Sequence, residues 1–158
     1  MKTSKPVLII VALASLALLG FALYLQHVKH MQPCPLCIIQ RYGFVAVALI
    51  CLISAFLPAA AARVGASLGA IAAMAGAGVA IRHVWIIAHP GVSCGIDPLE
   101  TSLNTIPTAS LMPFLFKADG LCTDAYAPIL GLSIPQWALA WFSVFAVVLF
   151  WTAFKRRT

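Results

Sequence analysis

Four long apolar stretches alternate with polar connections along this chain. Residues 7–25 carry no charge, and residues 38–62 are interrupted only by Gln40 and Arg41 near their start and by Arg63 just after their end. Residues 64–81 form a third stretch, rich in glycine and alanine, and residues 134–154 a fourth. At 1.5 Å per helical residue, each is of the length that crosses a hydrocarbon core about 30 Å thick. The first stretch competes with a secretory signal, whose apolar region is normally about 7–15 residues and ends in a small-residue cleavage site. Phe21-Ala22-Leu23-Tyr24-Leu25 offers no such site, so a retained helix is expected. The pattern predicts an all-α integral membrane four-helix bundle with approximate spans 7–25, 42–62, 64–82 and 134–154. Arg63 marks a very short turn, and Pro58 is expected to bend or fray the far end of the second span. Gly65, Gly69, Ala73 and Gly76 fall at small-xxx-small spacing, which lets helix backbones approach closely in lipid.

The connections are residues 26–41 and 83–133. The second is long and different in character. It holds His83, His89, Cys94, Cys122 and all four acids, Asp97, Glu100, Asp119 and Asp124. Within it, residues 111–116 are apolar but too short to span, and read as an interfacial segment lying in the headgroup region.

Composition agrees. The chain has 158 residues, 63% hydrophobic and 9% charged, whereas a soluble domain is nearer half apolar and a quarter charged. The length suits a single membrane domain. The net charge of +6 does not point to nucleic acid, because most basic residues flank apolar stretches instead of gathering on one folded face. Four spans put both termini on one side. Lys2, Lys5, Arg63, Lys155, Arg156 and Arg157 lie there unopposed, while Lys29, Arg41, Arg82, Lys117 and the four acids lie on the other. The lysine and arginine excess marks the cytoplasmic face, so both termini are expected inside and both connections outside.

That topology places Cys34 and Cys37 in the first outer loop, and Cys94 and Cys122 in the second. Pro35 suits a first helical position, which makes Cys34 the N-cap and Cys37 a first-turn residue. The helix N-terminus and Arg41, four residues on along the same face, favour a thiolate at Cys37. Two cysteine pairs on one face of a membrane suit thiol–disulfide exchange. Cys51 lies 14 positions beyond Cys37, about 21 Å deeper, and reads as a small buried apolar residue. A haem attachment site needs histidine directly after Cys37, and Ile38 stands there. Zinc is a stronger rival, since His27-x-x-His30 precedes Cys34-x-x-Cys37. It leaves Cys94 and Cys122 without a role, and no metal is expected. Cys94 and Cys122 could equally form an inert bridge worth roughly 3–4 kcal/mol on the chain-entropy model.

Gln26-His27-Val28, then Pro33-Cys34-Pro35-Leu36-Cys37 and Arg41, resemble the first periplasmic segment of the disulfide bond formation protein B (DsbB) family. Arg82, the long loop with its cysteine pair, and Gly131-Leu132-Ser133-Ile134-Pro135-Gln136-Trp137 extend the resemblance over essentially the whole chain. It implies a bacterial inner-membrane enzyme that reoxidises a periplasmic, DsbA-like thioredoxin-fold oxidase. Cys94 would take the mixed disulfide with that partner, and Cys122 would exchange with Cys34. Cys37 would pass electrons to a membrane quinone, ubiquinone or menaquinone, with Arg41 near its carbonyl. A quinone-side histidine is expected at the outer end of the third span; His89 is nearest, although an ungapped match puts Pro90 there. Whether Cys94 rests paired with Cys122 or with Cys34 stays open.

Two other classes compete. A quinone reductase of the vitamin K epoxide reductase type also uses four helices and two cysteine pairs, but its C-x-x-C falls late in the chain. A tetraspanin-like scaffold would staple its large loop with structural disulfides, but lacks a use for Cys34 and Cys37.

Overall fold

In lipid, a backbone satisfies its own N–H and C=O groups only as a helix or in a closed barrel, and here each apolar stretch is a helix. The computed structural model describes residues 4–89, 91, 96–123 and 126–154. The helices among them are α1 (Ser4–Val28), α2 (Pro35–Phe56), α3 (Ala59–Ala88), α4 (Ile96–Asn104), α5 (Pro107–Leu111), α6 (Pro113–Phe116) and α7 (Ile134–Phe154). Four of them, α1, α2, α3 and α7, are long and apolar enough to cross a membrane. The chain is a multi-pass, all-α membrane protein. Its described residues form no strand, only an isolated bridge between Ile129 and Leu132.

Two boundaries differ from the sequence expectation. The second span was expected to run to residue 62 and turn at Arg63, but the turn is at Leu57-Pro58. A proline pushes the residue before it out of the helical region, and Leu57 is extended at φ −85°, ψ 163°. Pro58 therefore ends α2 outright, and Ala59-Ala60-Ala61-Ala62 then opens α3 with the best helix former. Arg63 lies in the second turn of α3. The far end of α3 also passes its expected limit at 82 and runs to Ala88, so the helix is 30 residues, about 45 Å, long. His83 consequently sits inside a helix and not in the loop.

α3 packs against both α2 and α7, α1 packs against α2, and α1 and α7 barely touch. The α3 seam is a stripe of small buried residues: Ala62, Ala66, Gly69, Ala73, Gly76 and Ala80. Phe142 of α7 fills the space that Gly76 leaves open and stacks on Phe44 of α2, with ring centroids 4.0 Å apart. A Cβ at Gly76 would lie 2.5 Å from the Phe142 ring, whereas one at Gly78 would meet nothing within 4 Å. Gly76→Ala is therefore expected to destabilise the bundle by about 1–3 kcal/mol through overpacking. Gly78→Ala is expected to be neutral or slightly stabilising, since alanine is the better helix former by about 1 kcal/mol. Denaturant unfolding of the detergent-solubilised variants checks both; equal midpoints would refute the seam argument. Cys51 is fully buried in this same core.

The helices α4, α5 and α6 cover one end of α2. Ile38 of α2 clusters with Leu103, Ala109, Phe116 and Ala118. Tyr42 stacks on Phe116 at 4.3 Å and hydrogen-bonds Thr108 through its hydroxyl. The Asn104 side chain pairs with both backbone groups of Ala118, each at 3.0 Å. The 111–116 stretch thus folds one aromatic, Phe116, inward and leaves Leu111, Met112 and Phe114 exposed as an apolar edge.

Candidate active site

Helix α2 begins inside the C-x-x-C motif. Pro35 occupies the first turn, where its missing N–H costs nothing, and Cys34 is the N-cap. Cys34 Sγ accepts the Cys37 backbone N–H at 3.3 Å and donates to Cys37 Sγ at 3.0 Å. Neither cysteine is in a disulfide. Cys34 is 2% exposed, whereas Cys37 is only partly covered.

The second loop brings Cys122 to the same place. The N–H groups of Asp119 and Gly120 both donate to Pro33 O, at 3.0 and 3.1 Å, directly beside Cys34. Tyr126 Oη adds a bond to Gln32 O at 3.3 Å. Cys122 is fully buried against Cys34, Leu36 and Ile86. Its side chain hydrogen-bonds Cys34; that bond first, then the bond to Cys37 and burial, push the Cys34 thiol well above its ordinary pKa. Gly120 is required at the clamp, because a Cβ there would lie 2.5 Å from Gln32 O. Gly120→Val is expected to lift the second loop off the first and slow oxidant-driven disulfide formation between Cys122 and Cys34 by about tenfold or more, the cost of roughly 1.4 kcal/mol at the barrier. Rapid-quench trapping of the bond between these residues measures it, and an unchanged rate would refute the clamp.

His83 completes the group from α3. It is 3% exposed. Its Nε2 lies 3.5 Å from Cys34 Sγ, and its Nδ1 lies 3.2 Å from the Gln40 side-chain amide. The Cys122 backbone also faces the ring. Sequence reasoning missed His83 by ending the third span at residue 82. The signal was present: the small-residue stripe on α3 recurs at alternating steps of four and three, and one further step of three beyond Ala80 lands on His83.

Arg41, one turn below Cys37, is 6% exposed. Its Nη1 donates to Gln26 Oε1 of α1 at 2.7 Å and to Leu115 O of α6 at 2.8 Å. Both partners are neutral; the ion pair seen among the described residues is the exposed Lys117–Asp119. A cation buried without a carboxylate is costly and marks a functional site. Beside it, a cavity of 350 Å³ opens in the seam that α1 and α7 leave uncovered. Leu18, Ala22, Phe44 and Trp141 supply apolar wall, and Cys37, Gln40, Arg41 and His83 gather at one end. An apolar pocket with a few convergent polar groups has the character of a small-molecule site.

The structure thus brings together Cys34, Cys37, Cys122 and Arg41 of the expected residues. His89 is elsewhere: it is exposed, its ring stacked on Trp85 at 4.5 Å and its Nδ1 on Trp85 O at 2.9 Å, and it does not line the cavity. Cys94 lies outside the described residues. His27 and His30 are exposed, and the group of potential metal donors found among the described residues is Cys34, Cys37 and His83.

A family model described as "Disulfide bond formation protein DsbB" matches residues 4–152. The chain belongs to the DsbB family. It is 68% identical to disulfide bond formation protein B of Herminiimonas arsenicoxydans, over all of both chains. It is 41% identical to that of Ralstonia nicotianae over 98% of this chain and 96% of the relative, and 42% identical to that of Cupriavidus necator over 92% and 90%. Membership makes the protein a disulfide-forming oxidoreductase of a membrane, and it removes both the scaffold and the vitamin K epoxide reductase readings. The Gly131–Trp137 segment that supported the DsbB resemblance has a structural account. Leu130 and Gly131 both take positive φ, 52° and 84°, in a tight turn closed by two bonds between Ile129 and Leu132. Gln136 Oε1 accepts the Ser133 N–H at 2.8 Å, and Trp137 Nε1 donates to Ile129 O at 2.8 Å. Together they hold Ile129 and Leu130 along the cavity wall.

Proposed function

We propose that the protein reoxidises a soluble, DsbA-like thioredoxin-fold dithiol protein and delivers the electrons to a lipid-soluble quinone. The observation that carries this reading is the position of Cys34: Cys122 contacts it from one side and Cys37 from the other, with the cavity behind Cys37. In this reading Cys94, in the second loop, exchanges with the partner, and Cys122 passes the oxidising equivalent on from Cys34. Each exchange breaks one S–S bond and forms another through attack by a thiolate. In this reading the cysteine end faces the periplasm and the termini the cytoplasm of a bacterial inner membrane, an orientation that the lysine and arginine excess on the terminal side supports.

The cavity fits a quinone in size and polarity, being apolar along its length and polar at one end. Arg41, Gln40 and His83 would hold the head group, and the walls from α1 and α7 the tail. A bound quinone would supply the sink for two electrons and two protons as the Cys34–Cys37 dithiol closes to a disulfide. Arg41 holds positive charge at that end, and His83 Nε2 is within reach of the Cys34 proton. The test follows both products in one vessel. Purified protein, a reduced thioredoxin-fold partner and a soluble quinone should yield one quinol per partner disulfide formed. Partner oxidation without quinol would leave the acceptor unidentified and sink this reading.

A further inference from the structure

We propose that the dithiol form of the protein binds one Zn²⁺-class thiophilic cation between Cys34 Sγ, Cys37 Sγ and His83 Nε2, and is arrested by it. The three donor atoms lie within 4.8 Å of one another. A tetrahedral zinc with bonds of about 2.3 Å to sulfur and 2.0–2.1 Å to nitrogen needs about 3.8 Å between the sulfurs and about 3.6 Å between sulfur and nitrogen. Cys34 Sγ and His83 Nε2 already stand 3.5 Å apart. The two sulfurs, at 3.0 Å, need to open by about 0.8 Å. The donor set of two thiolates and one imidazole is the soft kind that selects Zn²⁺ over Mg²⁺ or Ca²⁺.

Two further features support the site. A metal-bound histidine needs a partner for its other ring nitrogen, and Gln40 stands 3.2 Å from His83 Nδ1. With the ion on Nε2, Nδ1–H donates to the Gln40 amide oxygen, which a half-turn of that side chain presents. The cavity, which Cys34, Cys37 and His83 all line, gives the ion a way in. The ion binds both sulfurs as thiolates and displaces whatever protons they hold. A disulfide between Cys34 and Cys37 removes both thiolates, so the site exists only while the pair is reduced. Bound metal holds the electrons in the dithiol and stops turnover. This inference needs only the dithiol geometry and does not depend on quinone being the acceptor.

The test uses the full chain in detergent, reduced without oxygen by a phosphine and freed of reductant. Zn²⁺ is titrated against a chromophoric chelator, with Cd²⁺ as an optical probe of thiolate coordination. One Zn²⁺ per chain, release of protons on binding, and no such binding after oxidation are expected. Gln40→Leu is expected to weaken binding about 10–100-fold, as loss of an outer partner does, and His83→Ala at least as much. Cys51→Ala should bind as the parent does. Turnover should fall with Zn²⁺ and return with a chelator. Absence of stoichiometric binding to the reduced chain overturns the proposal. So does binding that survives both His83→Ala and Cys34→Ser, which would place the ion elsewhere. Failure of quinone reduction with metal binding intact would count against the proposed function alone.

Discussion

Cys34→Ser is expected to lower turnover with a reduced partner by at least roughly 1,000-fold, the scale seen when an obligatory nucleophile is removed. The reason is positional. Cys34 is the residue that both other described sulfurs of the site touch: Cys37 at 3.0 Å and Cys122 through its side-chain hydrogen bond. On the proposed route, electrons arriving at Cys122 then have no sulfur to pass to, because Cys37 is reached through Cys34. Cys37→Ser separates the steps. It leaves Cys34 able to attack the proposed Cys94–Cys122 disulfide at Cys122 and expel Cys94 as a thiolate, with no Cys37 thiol to displace Cys122 again, so a Cys34–Cys122 disulfide should accumulate on electrophoresis. Cys51→Ser changes the core but not the relay, and should retain most of the activity. Substantial turnover by Cys34→Ser would mean that the second loop delivers electrons by another route.

Much of this site's geometry was legible in the sequence, and the reasons differ by residue. Pro35 marks where α2 starts, and that alone assigns Cys34 to the cap and Cys37 to the first turn. The spacing of Arg41 from Cys37 puts them on one helical face. The approach of Cys122 was different. Spacing left the Cys94–Cys122 pair open between an exchange-active and an inert reading, and only the family resemblance suggested that Cys122 meets Cys34. The contact depends on Gly120 and the Pro33 carbonyl, a backbone clamp with no periodic signature. His83 was hidden by a boundary error. Arg82 looked like the end of a membrane span, but a helix continues wherever its backbone bonds are satisfied, and α3 runs six residues further. His89 was named as the residue nearest the histidine that the family resemblance implies, and its ring turns outward onto Trp85. At Pro58 the opposite mistake occurred. The long apolar run suggested one helix through to residue 62, whereas the steric demand of proline on Leu57 divides it.

On the proposed function, Arg41→Ala is expected to raise the KM for quinone by about 10–100-fold, equivalent to roughly 1.4–2.8 kcal/mol. Hydrogen bonds to a charged group are worth about 1.5–3 kcal/mol each, and Arg41 makes two through one nitrogen alone. Those two bonds tie α1 to α6 across α2, and they fix the guanidinium at the polar end of the cavity. The alanine variant loses that charge and leaves Gln26 Oε1 and Leu115 O without their donor. Arg41→Lys keeps the charge but has a single ammonium on a flexible stem in place of a planar fork. It should recover only part of the affinity. The second loop is still clamped to Pro33 through Asp119 and Gly120, so single-turnover exchange with the partner should stay within a few-fold of the parent. A split between the two assays is the informative result. Equal losses in both would make Arg41 a fold-stabilising tie between α1 and α6, and an unchanged quinone KM would remove it from the cavity's binding groups.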